Sequence, residues 1–180
     1  GHTLTFEIPG ITFNAGATDV AAGSTGSVSF TASAPGTYLY QAGGGEGRQA
    51  AMGLAGALIV NALTAGQAYD TATTAYDAQA TVVLGAVDPN FNAAPDTFDL
   101  YGYKATYWLI NGKAYPDTAG ITATSGQRLL LRYVNAGFDN SAMALLGMHE
   151  HVVARAARLL NALGNQFGEC TTEILPGVPA

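Results

Sequence analysis

The chain has 180 residues and a formal net charge of −6, and it combines 23 glycines with only 11% charged residues. This composition disfavours a helical bundle and suits many short strands joined by turns. Only 7 lysines and arginines are present, which argues against nucleic acid or an anionic membrane surface as a partner. No stretch approaches the roughly 18 apolar residues of a membrane helix, so we expect no membrane insertion.

The first third of the chain predicts short strands. Residues 4–8 alternate apolar and polar side chains, as in a half-buried strand. Further strands are predicted over residues 28–31, 37–40 and 56–60. Glycine stabilises neither helix nor strand interiors, so the glycine-rich residues 43–47 predict a mobile surface loop. Arg48, next to this loop, is a candidate anion contact, although the loop has no phosphate-binding motif.

The remainder of the chain predicts a second β unit. Small and polar residues from 63 to 79 predict a linker between a first unit, 1–62, and a second unit, 80–180. Strands are expected over residues 80–85, 107–110, 128–134, 143–153 and 172–175. A loop of turn-forming residues is expected over 88–96, and Asn111-Gly112 predicts a tight hairpin turn. Because adjacent strand residues alternate in direction, we expect one of Tyr107 and Trp108 to face the core and the other to face solvent.

Ordered motifs in both units resemble multicopper oxidases. Residues 35–40 (Pro-Gly-Thr-Tyr-Leu-Tyr) and 53–60 (Gly-Leu-Ala-Gly-Ala-Leu-Ile-Val) resemble the end of that family's first cupredoxin domain. The second domain is resembled by residues 107–116 (Tyr-Trp-Leu-Ile-Asn-Gly-Lys-Ala-Tyr-Pro), 126–136 (Gly-Gln-Arg-Leu-Leu-Leu-Arg-Tyr-Val-Asn-Ala) and 146–154 (Leu-Gly-Met-His-Glu-His-Val-Val-Ala). The resemblance implies an all-β fold of two cupredoxin-like Greek-key β-sandwich units. Both units are expected to be incomplete at the ends of the chain.

The copper ligands implied by the resemblance are missing. Where the family has a copper-binding His-Ser-His triplet between the two motifs of its first domain, this chain has Gln41-Ala42-Gly43. The whole chain contains 3 histidines, against the roughly ten His and Cys ligands that four coppers require. We therefore predict no catalytic residues, no resident cofactor and no oxidase activity from these residues alone. Ala156-Ala157 also stands where the family has Asp-Gly, which leaves the form of that turn open.

Other candidate sites are weaker. His149 and His151 form a local cluster, and on one strand they would share a face with Met143 or Met148 nearby as a soft ligand for copper. The resemblance, however, places His149 on a strand that binds no metal. Cys170 lacks flanking histidines and is expected to be a free thiol.

The aromatic residues have two interpretations. Core packing between sheets is expected for most of them. The set comprises Tyr38, Tyr40, Tyr101, Tyr103, Tyr107, Trp108, Tyr115 and Tyr133. A carbohydrate or protein contact surface around Tyr101-Gly102-Tyr103 and Tyr107-Trp108 is the alternative.

Three functions are compatible with the sequence. The first is a copper-free structural or assembly protein of multicopper oxidase descent, secreted or at the cell surface, with protein partners or self-association. The second is a piece of an active, laccase-like oxidase whose copper ligands lie outside these residues. The third is a small copper carrier that uses His149 and His151. Low surface charge and open sheet edges favour association of chains by strand addition.

Overall fold

Strands dominate the architecture, as the composition indicated. The computed structural model describes residues 2–16 and 18–160, together with the backbone of 168–169 and 172–174; Cys170 lies outside the described residues. The strands of the first group are β1 Leu4–Glu7, β2 Phe13–Gly16, β3 Asp19–Val20, β4 Val28–Phe30, β5 Gly36–Gly43 and β6 Ala55–Val60. Those of the second group are β7 Ala78–Val87, β8 Tyr107–Ile110, β9 Leu129–Asn135, β10 Ser141–Met143, β11 Glu150–His151, β12 Ala154–Arg155, β13 Arg158–Leu159, β14 Gly168–Glu169 and β15 Thr172–Ile174.

The first group of strands forms two antiparallel sheets, with orders β3-β1-β5-β6 and β2-β4. The centre is β5, whose Tyr38, Leu39 and Ala42 are buried. Gly56 lies directly opposite Tyr40 on β6, and a side chain at Gly56 would overlap the Tyr40 ring. The glycine therefore allows the aromatic ring to lie across the neighbouring strand.

The second group is centred on a three-stranded sheet with the order β8-β7-β9. The pairing of β7 with β8 is antiparallel, whereas β7 and β9 run parallel over seven residue pairs, from Ala78↔Leu129 to Leu84↔Asn135. Val82, Leu84 and Tyr133 form the core of this group. Three further pairs complete it, β10-β15, β11-β14 and β12-β13. Among the described residues, strand pairing never joins the two groups, which agrees with two sandwich units.

The glycine-rich segment contains more regular structure than the sequence indicated. Gly43 ends β5, Gly45–Gly47 form a 3-10 turn, and helix α1, Arg48–Ala51, follows at once. Nη1 of Arg48 donates hydrogen bonds to the carbonyl oxygens of Pro95 (2.7 Å) and Phe98 (2.8 Å). These long-range hydrogen bonds hold the start of helix α1 against residues 95–98 and use the side chain suggested for an anion. The mobility of residues 43–47 remains a prediction.

The segment 88–96, expected to be a loop, contains helix α2, Pro89–Ala93. Asp88 is the N-cap, and its Oδ1 accepts hydrogen bonds from the backbone N–H groups of Asn90 (2.9 Å) and Phe91 (3.5 Å). Turn-forming residues also start helices when a carboxylate caps the free N–H groups and proline occupies the first helical position. Burial of Phe91 then stabilises this short helix.

Two other segments differ from the expected organisation. The stretch 143–153 is not one strand, since β10 ends at Met143 and β11 contains only Glu150 and His151. The expected linker 63–79 contains a 3-10 turn, Ala72–Thr74, and buries Ala68 and Thr74. The unit boundaries themselves remain a prediction.

Two tight turns adopt left-handed backbone. Asn111 and Gly112 have φ values of 51° and 77°, and the N–H of Ile110 donates to the carbonyl of Lys113 at 2.9 Å, which confirms the predicted turn. Ala156 and Ala157 connect β12 to β13 with φ values of 50° and 57°. Two alanines, for which positive φ is strained, therefore form this turn with left-handed backbone.

Candidate functional site

The position of the family's copper-binding triplet lies at the end of β5. Gln41 is half-buried and pairs with Glu7 of β1, while Ala42 and Gly43 are buried. The side-chain Nε2 of Gln41 donates a hydrogen bond of 2.5 Å to Oε1 of Glu7. The two polar side chains at this position therefore bond to each other across the sheet.

Glu7 also covers the third position of the triplet. A Cβ atom built on Gly43 would lie 2.6 Å from Oε2 and 2.7 Å from Cδ of Glu7. Any larger residue at this position would have to displace the carboxylate. The space that a histidine side chain would use is occupied by Glu7, a residue the sequence analysis did not single out. Its role depends on the β1-β5 register, for which the linear sequence has no signal.

Copper does not fit this arrangement. The position offers an amide, a carboxylate and a glycine, whereas copper at nitrogen-rich sites is bound by imidazole and thiolate. In the described part of the chain, no three His, Cys, Asp or Glu residues approach closely enough to hold a metal ion.

The histidine pair is brought to the surface. His149 and His151 are exposed, and His149 precedes the two-residue strand β11 instead of lying on it. Glu150 between them is half-buried, and its Oε1 accepts a hydrogen bond of 2.8 Å from the Tyr133 hydroxyl. Met143 packs against the core of the second unit. Within this cluster it is therefore the Glu150 carboxylate that points inward. A metal site at the two histidines remains a prediction.

The aromatic residues are more exposed than expected. Tyr107 and Trp108 have exposed fractions of 53% and 64%, so the prediction that one of them faces the core was wrong. Trp108 shares a strand face with Ile110, which does pack on the core. It lies opposite Ala86, two residues beyond the Leu84–Ile110 pair, and so extends past the buried cluster.

Only part of the aromatic set packs in the core, although core packing was expected for most of it. Tyr38 and Tyr133 are buried, while Tyr40, Tyr101 and Tyr115 are exposed. Tyr103 packs edge-on against Phe91 at 5.7 Å and Phe138 at 4.9 Å, and its hydroxyl donates to the carbonyl of Ala86. The two candidate contact residues Tyr101 and Tyr103 thus differ, since one is on the surface and the other has a packing role.

A large cavity lies elsewhere, beside β9. Its volume is about 620 Å³, and Arg132, Tyr69, Glu150 and the two histidines contribute to its lining. Sequence reasoning passed over Arg132, although a charged residue within the apolar run Leu-Leu-Leu-Arg-Tyr-Val was a usable signal, because charged side chains rarely face a core unless paired.

Known structures share the whole described fold. The sequence matches no protein-family model and no curated protein. The blue copper oxidase of Nitrosomonas europaea matches with a TM-score of 0.82 at 19% identity, over 99% of this chain and 57% of that chain. The multicopper oxidase mgLAC matches with a TM-score of 0.76 at 18% identity, over 98% of this chain and 57% of that one. The copper nitrite reductase of the same Nitrosomonas species matches with a TM-score of 0.68 at 19% identity, over 99% and 63%.

The fold is therefore the cupredoxin-like, all-β fold of the multicopper oxidase type, which confirms the resemblance at the level of fold. The chain spans 57% to 63% of the length of these three structures. In the described part of the chain, no helix is both long and apolar enough to cross a membrane.

Proposed function

We propose that this chain is a copper-free cupredoxin-like protein with a structural or assembly role. The observation that carries the proposal is the Glu7–Gln41 hydrogen bond across the triplet position, with Glu7 covering Gly43. Two polar side chains that bond to each other already have a partner within the protein, and an amide with a carboxylate is a poor donor set for copper. We therefore expect the purified chain to contain far less than one equivalent of copper and to oxidise no phenols.

The assembly role is supported by the outer strand β8. Within the described residues β8 pairs with β7 alone, and it carries the exposed Tyr107 and Trp108. An outer strand with exposed aromatic residues and few charges offers backbone donors, acceptors and apolar area to another chain. We propose a second copy of this chain, added edge to edge, as the partner. A location outside the cell, secreted or on the cell surface, is part of the same proposal and is supported by the fold class alone.

Metal analysis and sedimentation velocity test these two statements separately. We expect dimers or larger species for the parent chain, a shift toward monomer for Trp108→Lys, and no shift for the matched control Leu63→Lys, because Leu63 is 96% exposed but lies outside the strand. A well-folded parent that stays monomeric at micromolar concentration would contradict the assembly role. Stoichiometric copper with oxidase activity would contradict the copper-free role.

A second candidate is favoured by the lengths of the matched structures. The chain covers only 57% of the blue copper oxidase, so these residues fit the first two units of a longer oxidase with its ligands elsewhere. The mass and copper content of the protein isolated from its source distinguish the two, since a longer, copper-loaded polypeptide would replace our first proposal.

The third candidate is a copper carrier at His149 and His151. Its support is the proximity of two exposed imidazoles in sequence and their place on one cavity lining. Titration with Cu²⁺ monitored by electron paramagnetic resonance tests it. One equivalent bound by the parent, and none by the double variant His149→Ala/His151→Ala, would establish this function.

A further inference from the structure

The cavity beside β9 has the dimensions of a ligand site. Its volume of about 620 Å³ lies within the range of about 300–1,000 Å³ typical of small-molecule pockets. Three segments form most of its lining, residues 68–76, residues 128–133 and residues 149–156, and Thr37 and Leu145 complete it. Apolar side chains such as Leu131, Leu145 and Val153 form part of its lining. It lies away from the triplet position, so it is a separate site.

Arg132 is the buried cation of this cavity. The residue is 4% exposed, yet it forms no ion pair with any described residue. Nε donates to Oε1 of Gln79 at 3.1 Å, and Nη1 donates to Oγ1 of Thr37 at 3.0 Å. Nη2 is buried and has no hydrogen-bond partner. A buried guanidinium with neutral partners and one free nitrogen lacks the counter-charge that normally accompanies it.

The surroundings favour a single negative charge. Three of the arginines, Arg128, Arg132 and Arg155, line the cavity, against one acidic residue, Glu150, among the described lining residues. Arg128 is already paired with Asp77, with Nε 3.7 Å from Oδ2. Glu150 accepts the Tyr133 hydroxyl hydrogen bond and would repel a second negative charge on a ligand.

Tyr69 adds a neutral polar group next to Arg132. Burial raises the pKa of the Tyr69 phenol to about 12, although the charge of Arg132 acts in the opposite direction. The phenol therefore stays protonated at neutral pH and remains a potential hydrogen-bond donor. A lining of apolar residues, phenols and one unpaired guanidinium suits an amphipathic anion better than a small hydrated one.

We propose that this cavity binds an organic monoanion, a carboxylate with an apolar alkyl or aryl body. The carboxylate pairs with the Arg132 guanidinium, and the body packs against the apolar lining. Because Nη2 is shielded from solvent, the guanidinium must turn toward the cavity in order to meet the anion. The proposal is independent of the copper-free role and of association at β8.

Calorimetric titration with hydrocinnamate, compared with hydrocinnamyl alcohol and inorganic phosphate, tests the ligand class. We expect hydrocinnamate to bind at least about tenfold more tightly than either, because only it combines the charge with the apolar body. Equal binding of the alcohol would overturn the proposal by showing an apolar pocket without an anion site. Equal binding of phosphate, or no binding of hydrocinnamate, would overturn it too.

Two variants and one control locate the site. Arg132→Gln should weaken hydrocinnamate binding at least about tenfold, whereas the control Arg158→Gln, an exposed position outside the cavity, should leave it unchanged. Glu150→Gln should tighten it about threefold to tenfold by removing the repelling charge. If Arg132→Gln does not fold, two other measurements test the proposal. They are the Glu150→Gln titration and the NMR shift of the Arg132 Nε–H signal in the parent chain. An unchanged affinity or an unshifted Nε–H signal on binding would overturn the proposal.

Discussion

Strand β5 carries the half-buried Gln41 and strand β9 the buried Arg132, and the partners of these two polar residues differ. On β5, Gln41 is matched by Glu7 of the neighbouring strand at 2.5 Å, and Gly43 beside it leaves room for the same carboxylate. On β9, Arg132 finds only the neutral Gln79 and Thr37, and Nη2 has no partner. The first position is complete without a ligand, while the second is not.

This difference in partners indicates which position can bind a ligand in a fold whose expected metal ligands are replaced. A buried polar group that is fully paired within the protein contributes to stability and specificity. A buried charge that lacks its counter-charge is costly unless a ligand supplies it. The triplet position, Gln41 to Gly43, is therefore called the closed position, because its polar side chain already has a partner within the protein. The Arg132 guanidinium, in contrast, still lacks a counter-charge.

The largest effect is expected from the β5 core that supports the closed position. Leu39 is 0% exposed, so Leu39→Ala should reduce the free energy of unfolding by about 2–5 kcal/mol. Chemical denaturation measures this loss. The matched control Leu63→Ala, at a 96% exposed position, should change it by less than about 0.5 kcal/mol. Equal effects of the two variants would mean that β5 is not the core of its unit.

Histidines introduced at positions 41 and 43 would directly disrupt the Glu7–Gln41 hydrogen bond at the closed position. Gln41→His/Gly43→His should cost about 1–3 kcal/mol, because the new side chain at position 43 must displace Glu7. Adding Glu7→Ala should recover part of that loss. Neither variant should acquire stoichiometric copper or phenol oxidation, since the remaining ligands of the cluster are missing. Elemental analysis and an oxidase assay check this, and a copper-loaded, active variant would refute it.

Asp88 sharpens the comparison, because it is a buried charge whose two carboxylate oxygens both accept hydrogen bonds from backbone N–H groups. A hydrogen bond from the backbone N–H of Lys104 (2.8 Å), followed by those from the N–H groups of Asn90 and Phe91, lowers the pKa of the Asp88 carboxyl. A lowered folded-state pKa means that this stabilisation is present above the unfolded value of about 3.9 and is lost as the pH falls through the folded value.

Asp88→Asn should therefore lower the Tm clearly at neutral pH and much less in acid below the folded-state pKa. Thermal denaturation at both pH values measures the two differences. The exposed Asp117→Asn serves as the control and should have little effect at either pH. A Tm loss that is the same in acid and at neutral pH would show that the charge of Asp88 does not contribute.

The turn that borders the cavity should respond to relief of strain. Ala157 has a φ of 57°, so Ala157→Gly should raise the free energy of unfolding by about 1 kcal/mol, since glycine adopts positive φ without the Cβ clash. Ala154→Gly, in the adjacent strand β12, should lower it instead. Chemical denaturation separates the two, and a loss of stability in Ala157→Gly would contradict the strained turn.

The smallest effect on stability is expected at Trp108. The side chain is 64% exposed, so Trp108→Ala should change the free energy of unfolding by no more than about 0.5 kcal/mol. Its effect on association should be larger than its effect on stability. A loss of about 3–5 kcal/mol in chemical denaturation would instead identify Trp108 as an inward-facing core residue.

Periodicity and turn chemistry were sufficient for much of the fold. The alternation in residues 4–8 and the Asn111-Gly112 pair correspond to β1 and to the observed tight turn. Shorter or mixed signals failed. The stretch 88–96 was expected to be a loop, but Asp88 caps a short helix there. The glycine-rich segment contains a 3-10 turn, and Arg48, which follows it, bonds to the distant Pro95.

The sequence by itself determined the β class, the resemblance to multicopper oxidases and the loss of the histidine triplet, because these depend on residue identity and local order. Only the tertiary structure decided that Glu7 fills the triplet position, that Trp108 lies past the core and that Arg132 is buried without a counter-charge. Each of these depends on strand register and on contacts between residues far apart in the chain. Such contacts are set by packing of the two units, on which local propensity carries no information.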